Sequence, residues 1–160
     1  MKYLKKYWIF SVLAFVGLAF VEMELGFLIL SLIMIYQSIY YYLGAKAIYK
    51  TGVETTGVVL FYSRDEDGYK TPTIKYDVNG KEIQKEPFYY ASTDLSKFRS
   101  YKSHIDTTIT IKYDPEKPEN FVINSEKDFN WGTILFFLFV GMIFLGLSIA
   151  GLLGYIDFNK

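Results

Sequence analysis

The chain has no cysteine and a single histidine, and these two scarcities remove several common chemistries at once. Without thiols there is no disulfide framework, no thiolate metal site and no cysteine nucleophile. With His104 as the one side chain that ordinarily titrates near neutral pH, acid–base catalysis has little to work with, and no enzymatic activity or cofactor is expected. Net charge is missing as well: 17 Lys and Arg offset 17 Asp and Glu. The composition therefore gives no sign of a nucleic-acid partner. Two tryptophans stand against 15 tyrosines and 14 phenylalanines, and 51% of the 160 residues are hydrophobic. That balance suits a mixed membrane and soluble chain with one water-soluble domain.

Charge is also absent from three long stretches. From Tyr7 to Val21 every residue is apolar, aromatic or small, and from Leu25 to Leu43 the polar interruptions are Ser31, Gln37 and Ser38. The second stretch makes roughly 28 Å of helix, close to the hydrocarbon thickness of a bilayer. The first nears that length when extended back to Leu4, with Lys5 and Lys6 reaching the headgroups. Gly132 to Ile156 holds no charge until Asp157 and is the clearest span. A cleaved signal peptide is the rival reading of the first stretch, but no small residue follows Ala19 at the spacing cleavage requires. Glu22 and Glu24 are expected in a polar loop between two antiparallel helices, since two carboxylates without a cation are costly in hydrocarbon.

Lys2, Lys5 and Lys6 precede the first stretch and Lys46 and Lys50 follow the second, while the only charges in the loop between are those of Glu22 and Glu24. The positive-inside rule then predicts a multi-pass protein of the cell membrane with the domain between the second and third spans in the cytoplasm. Tyr3, Tyr7, Trp8, Tyr40, Tyr41, Tyr42, Tyr49, Phe129 and Trp131 would form an aromatic belt there, with Tyr155 at the outer interface. Gly146, Ala150 and Gly154 share one helix face at four-residue spacing, which predicts close helix packing, within the chain or in a homo-oligomer.

Residues 51–128 change to short β-rich runs. Thr55 to Tyr62 is β-branched and aromatic, and Thr71 to Val78 alternates with Ile74, Tyr76 and Val78 on one face. Asn79-Gly80 supplies a type I′ turn, after which Lys81 to Tyr90 returns. Thr107 to Tyr113 alternates with Ile109, Ile111 and Tyr113 inward, and Phe121 to Ile123 is a last short strand. Such strands hide their apolar faces by curling into a small antiparallel β-barrel or packing as a β-sandwich. The predicted organisation is a transmembrane helical hairpin over 1–50, a soluble β domain over 51–128 and a C-terminal transmembrane helix over 129–160.

Three clusters invite a functional reading. His104 lies near Ser103, Asp106 and Tyr101, but proximity in sequence defines no triad. The run Arg64-Asp65-Glu66-Asp67-Gly68 is dense in carboxylates yet lacks the spacing of a calcium loop, and reads as a solvated turn. Lys97, Arg99 and Lys102, interleaved with Phe98 and Tyr101, are basic enough to touch anionic lipid headgroups beside a membrane, with plain solvation the equal alternative.

At Tyr113-Asp114-Pro115-Glu116-Lys117-Pro118, closing a Thr-Ile-Thr-Ile-Lys strand, the chain resembles bacterial membrane proteins of domain-of-unknown-function family 3592. The resemblance extends to Gly57-Val58-Val59, to Pro72, Ile74 and Tyr76 in a Pro-x-Ile-x-Tyr strand, to the Asn-Gly hairpin and to flanking membrane helices. It covers about residues 52–124. Ile105-Asp106 stands where the family commonly has a glycine. The resemblance implies no catalytic residue; Pro115 and Pro118 read as strand terminators because proline lacks an N–H. These features predict a membrane-anchored β domain that binds a protein partner. Immunity against a membrane-directed toxin and an accessory role to a membrane enzyme or transporter are the alternatives.

Overall fold

The structure is a computed structural model that describes residues 22–64, 69–91 and 105–157. A long helix, α1 (Met23–Thr51), leads into five strands: β1 (Val53–Arg64), β2 (Lys70–Val78), β3 (Lys81–Lys85), β4 (Thr108–Tyr113) and β5 (Phe121–Ile123). A 3-10 turn over Asn124–Glu126 then opens into α2 (Lys127–Leu152). Contacts divide the described residues into two units, one holding those up to Tyr40 and from Ile134, the other Tyr41–Thr133. The predicted span over residues 7–21 lies outside the described residues.

In the first unit the two helices run antiparallel. Phe27 meets Phe144 at 5.5 Å between ring centroids, and Ser148 Oγ donates to the Glu24 carbonyl at 2.8 Å. Glu24 is therefore not in a polar loop. It sits in the first helical turn, where a carboxylate favours the positive end of the helix dipole, and the Glu22 carbonyl accepts from Leu25 and Gly26. Buried positions recur every seven residues, Ser31 and Ser38 on α1 and Ile134, Gly141 and Ser148 on α2. These positions line the seam between the two helices. At Gly141 a Cβ would lie 3.0 Å from Ile35 Cγ1 and 3.2 Å from Met34 Cβ, so the absent side chain sets how closely the backbones approach.

The second unit holds one antiparallel sheet of order β3-β2-β1-β4-β5, curled into a half-barrel. Among the described strands β3 and β5 remain edges, so neither the closed barrel nor the two-layer sandwich forms. Closure is replaced by the segment that follows β3: the Phe88 N–H donates to the Phe121 carbonyl at 2.8 Å, covering part of the β5 edge. The expected return strand from Lys81 to Tyr90 accordingly stops at Lys85.

The hairpin turn forms as predicted, with φ of 53° at Asn79 and 78° at Gly80 and the Gly80 N–H bonded to Asp77 Oδ1 at 2.8 Å. Along β1 the register slips between Val59 and Phe61, a bulge that reverses the alternation. Val59 is buried and Tyr62 packs on the core, whereas Phe61 is exposed. The core joins Val59, Ile74, Tyr76, Val78, Ile111, Phe121 and Ile123. Ile111 is fully buried, with Ile109 and Tyr113 half-buried beside it.

Opposite Phe121 and Ile123, Val122 points to the other face of β5 and buries itself against Ala45 and Ile48 of α1. Tyr49 Oη fastens this contact by donating to the Ile123 carbonyl at 3.1 Å. Gly52 alone separates helix from strand; a Cβ there would fall 2.4 Å from the Ile48 carbonyl oxygen. The helix thus passes into β1 without a linker.

Candidate functional site

The Tyr-Asp-Pro turn is built from backbone bonds. The Asp114 N–H donates to the Asn120 carbonyl at 2.9 Å, closing the loop between β4 and β5, and Asp114 Oδ1 accepts the Glu116 N–H at 3.0 Å. Pro115 follows the last paired residue, Tyr113, as a strand terminator should. Tyr76 Oη donates to the Pro118 carbonyl, and the Tyr76 ring stacks on Tyr113 at 6.3 Å. Burial, and secondarily the Glu119 carboxylate, raise the Tyr76 phenol above its ordinary range.

Between this turn and the last turns of α1 lies a cleft of about 440 Å³, lined by Gly44, Ala47, Ile48, Thr51, Phe88, Asp114, Pro115, Glu116 and Asn120. Its volume is that of a small-ligand or peptide side-chain site. Gly44 shapes it, since a Cβ there would strike the Phe88 ring at 2.5 Å. Its lining mixes Gly44, Ala47, Ile48, Phe88 and Pro115 with the polar residues Thr51, Asp114, Glu116 and Asn120. A smaller hollow of about 80 Å³ in the half-barrel is lined by Val59, Tyr62, Pro72, Tyr90, Ile123 and Glu126, among others.

Around the other side of α1 runs an aromatic collar. Tyr42 and Tyr49 both contact Trp131 of α2, at 4.8 and 6.0 Å between centroids. Tyr41 meets Phe88 at 5.8 Å and Tyr89 at 4.9 Å. Buried Asn130 holds the covering segment by accepting the Ala91 N–H at 2.9 Å and donating to the Tyr89 carbonyl at 3.5 Å. Burial pushes the Tyr89 phenol up to about 12, with Tyr41 adding to the effect.

Lys97, Arg99, Lys102 and His104 lie outside the described residues, as does the acidic run 65–67. The small-residue stripe of the third span divides. Gly146 is exposed with open space where a Cβ would stand. Gly154 does not lie on the helix. It adopts φ 75° after Leu152, its N–H bonds to the Gly151 carbonyl at 2.8 Å and that of Tyr155 bonds to the Ala150 carbonyl at 2.9 Å. This is a Schellman cap, which ends α2 before Ile156 where the apolar run continues. The close-packing glycine is Gly141, which four-residue spacing passes over and seven-residue spacing with Ser148 picks out. Gly44 and Phe88 carried no periodic signal, because their contact joins residues far apart in sequence.

The site's parts are structural in origin: a turn, a helix end and a covering segment that meet on one half-barrel. They define a helix-flanked antiparallel half-barrel with a cleft beside its Tyr-Asp-Pro turn. Residues 53–128 match the family model described as Domain of unknown function (DUF3592), and this part of the chain is a domain of that family. The match begins at the first residue of β1 and ends in the first turn of α2. Comparisons with curated proteins and with solved structures found no match.

Proposed function

We propose that this is an integral membrane protein whose helices anchor the half-barrel at the bilayer surface, where it acts as a non-enzymatic binding module. One observation carries the membrane reading. Both α1 and α2 are long and apolar enough to cross a bilayer, yet only 17% of the most apolar stretch of each is buried. A core helix of a water-soluble protein would be mostly covered. Here Leu32, Tyr36, Phe136 and Phe139 stand 54%, 63%, 61% and 64% exposed, an arrangement that favours lipid as the surrounding solvent. A signal sequence cannot account for α2, which follows the β domain.

Binding rather than catalysis is supported by the composition and by the cleft beside Asp114, whose mixed lining of apolar residues with Asp114 and Glu116 suits a side chain or short segment of a protein partner. The β3 edge is a poorer surface for strand addition: Lys81, Glu82 and Lys85 crowd it with charge, and Lys75 pairs with Glu82 at 2.5 Å across the hairpin. The lysine distribution supports a cytoplasmic half-barrel.

The absence of cysteine makes the test direct. Single K81C and E22C variants are treated with an impermeant thiol reagent on intact cells, after carbonate-washed membranes have been checked for the chain. The expected result is membrane retention, labelling of E22C and protection of K81C. Release of the full chain into detergent-free extract refutes the membrane reading, and labelling of K81C refutes the orientation.

A further inference from the structure

The collar around Trp131 carries cations that the packing alone does not require. Lys46 Nζ lies over the Tyr42 ring, 5.3 Å from its centroid, and Lys127 Nζ over the Tyr49 ring at 5.6 Å. Both rings contact the same indole. Tyr42, Lys46 and Tyr49 share one face of α1 by helical spacing, as Lys127 and Trp131 do on α2. Two ammonium groups from different helices thus lie over rings that contact one indole, and both lysines are exposed. Lys46 comes one turn after the apolar stretch that ends at Leu43, and Trp131 immediately precedes the stretch that starts at Gly132. That is the headgroup level in a spanning chain.

We infer that Lys46 and Lys127, over the Tyr42 and Tyr49 rings beside Trp131, form a binding site for the phosphates of anionic phospholipid headgroups. The inference rests on the membrane-spanning reading above. Charge complementarity selects the occupant: each ring holds an ammonium in place, so a headgroup phosphate meets a cation without first ordering a flexible side chain. Glu126 and Asp128 flank Lys127 in sequence, and their carboxylates oppose an anion at that ammonium.

Trp8 and Trp131 are the two tryptophans, so a W8F chain reports on Trp131 alone. It is reconstituted into phosphatidylcholine vesicles containing equal fractions of either brominated phosphatidylcholine or brominated phosphatidylglycerol, and quenching of Trp131 is compared. Each lysine is expected to enrich the anionic lipid about five-fold locally, giving at least about twice the quenching by the brominated anionic lipid. K46Q/K127Q should abolish this excess while leaving quenching by the brominated zwitterionic lipid, and D128N should raise it. Equal quenching by both lipids, or an excess that survives K46Q/K127Q, overturns the site. Loss of the excess to millimolar glycerol phosphate overturns the lipid in favour of a soluble phosphate. Quenching by neither lipid overturns the membrane reading itself and the site with it.

Discussion

Gly57 gives the sharpest test of the half-barrel core. It occupies the centre of β1, paired with Ile109 of β4, and a Cβ built there would sit 2.6 Å from Ile74 Cγ2 and 3.2 Å from the Lys75 carbonyl oxygen. Ordinary contact requires about 3.5–4.0 Å, so one group must move by roughly an ångström. Ile74 is fully buried and branched at Cβ, which leaves it stiff about χ1. Driving it off its rotamer and shifting its neighbours costs about 1–3 kcal/mol. Alanine recovers about 0.5–1 kcal/mol through the smaller entropy loss of a non-glycine residue in a strand. G57A is therefore expected to destabilise by about 1 kcal/mol and by no more than roughly 2.5 kcal/mol, with Tm falling about 4–8 °C per kcal/mol for a domain of this size. Thermal denaturation of the detergent-solubilised full chain, followed by circular dichroism, measures it. I74L moves the branch from Cβ to Cγ and frees the space beside Gly57, so in the G57A background it should restore most of the loss. The reasoning is refuted if G57A melts with the parent chain, or if I74L and G57A simply add.

Asp106 holds φ 61°, a left-handed backbone that glycine adopts without steric cost, so D106G should stabilise by up to about 1 kcal/mol and D106A should destabilise by a similar amount; equal melting of the two refutes the left-handed turn as the cause. N130A removes the acceptor of the buried Ala91 N–H and is expected to cost about 1–3 kcal/mol, seen as faster proteolysis of the covering segment after β3; unchanged proteolysis refutes the clamp. Tyr89 keeps its proton in the folded state up to about 12, whereas unfolded tyrosines ionise near 10. Its contribution is complete below pH 10 and is lost as pH rises toward 12, so Y89F should show a shallower loss of stability across that window. Parallel melting curves of Y89F and the parent chain across it would contradict the burial of this phenol.

Local patterns were legible wherever one residue type decides a conformation. Asn79-Gly80 specified a hairpin because both positions need positive φ, and Pro115 marked the end of β4 because it cannot donate to the ladder. Alternation placed Ile74, Tyr76, Val78 and Ile111 in the core. Patterns failed where a distant partner intervenes. The bulge at Val59/Phe61 reverses the face of Tyr62, and only the pairing with β2 reveals it. Gly154 satisfied a small-residue spacing but serves as a helix cap, since hydropathy continues past the point where the backbone turns.

From the amino-acid order alone came the apolar stretches, the strands, the hairpin and the aromatic and basic residues beside them, because hydrophobic periodicity and backbone restriction act over a few neighbours. Tertiary structure decided that the sheet stays open, that Phe88 covers the β5 edge, that Gly141 spaces the helices and that Tyr42 and Tyr49, with Lys46 and Lys127 over their rings, meet at Trp131. Those outcomes depend on contacts between residues far apart in the chain, whose free energy appears only once the intervening segments have folded and brought them together.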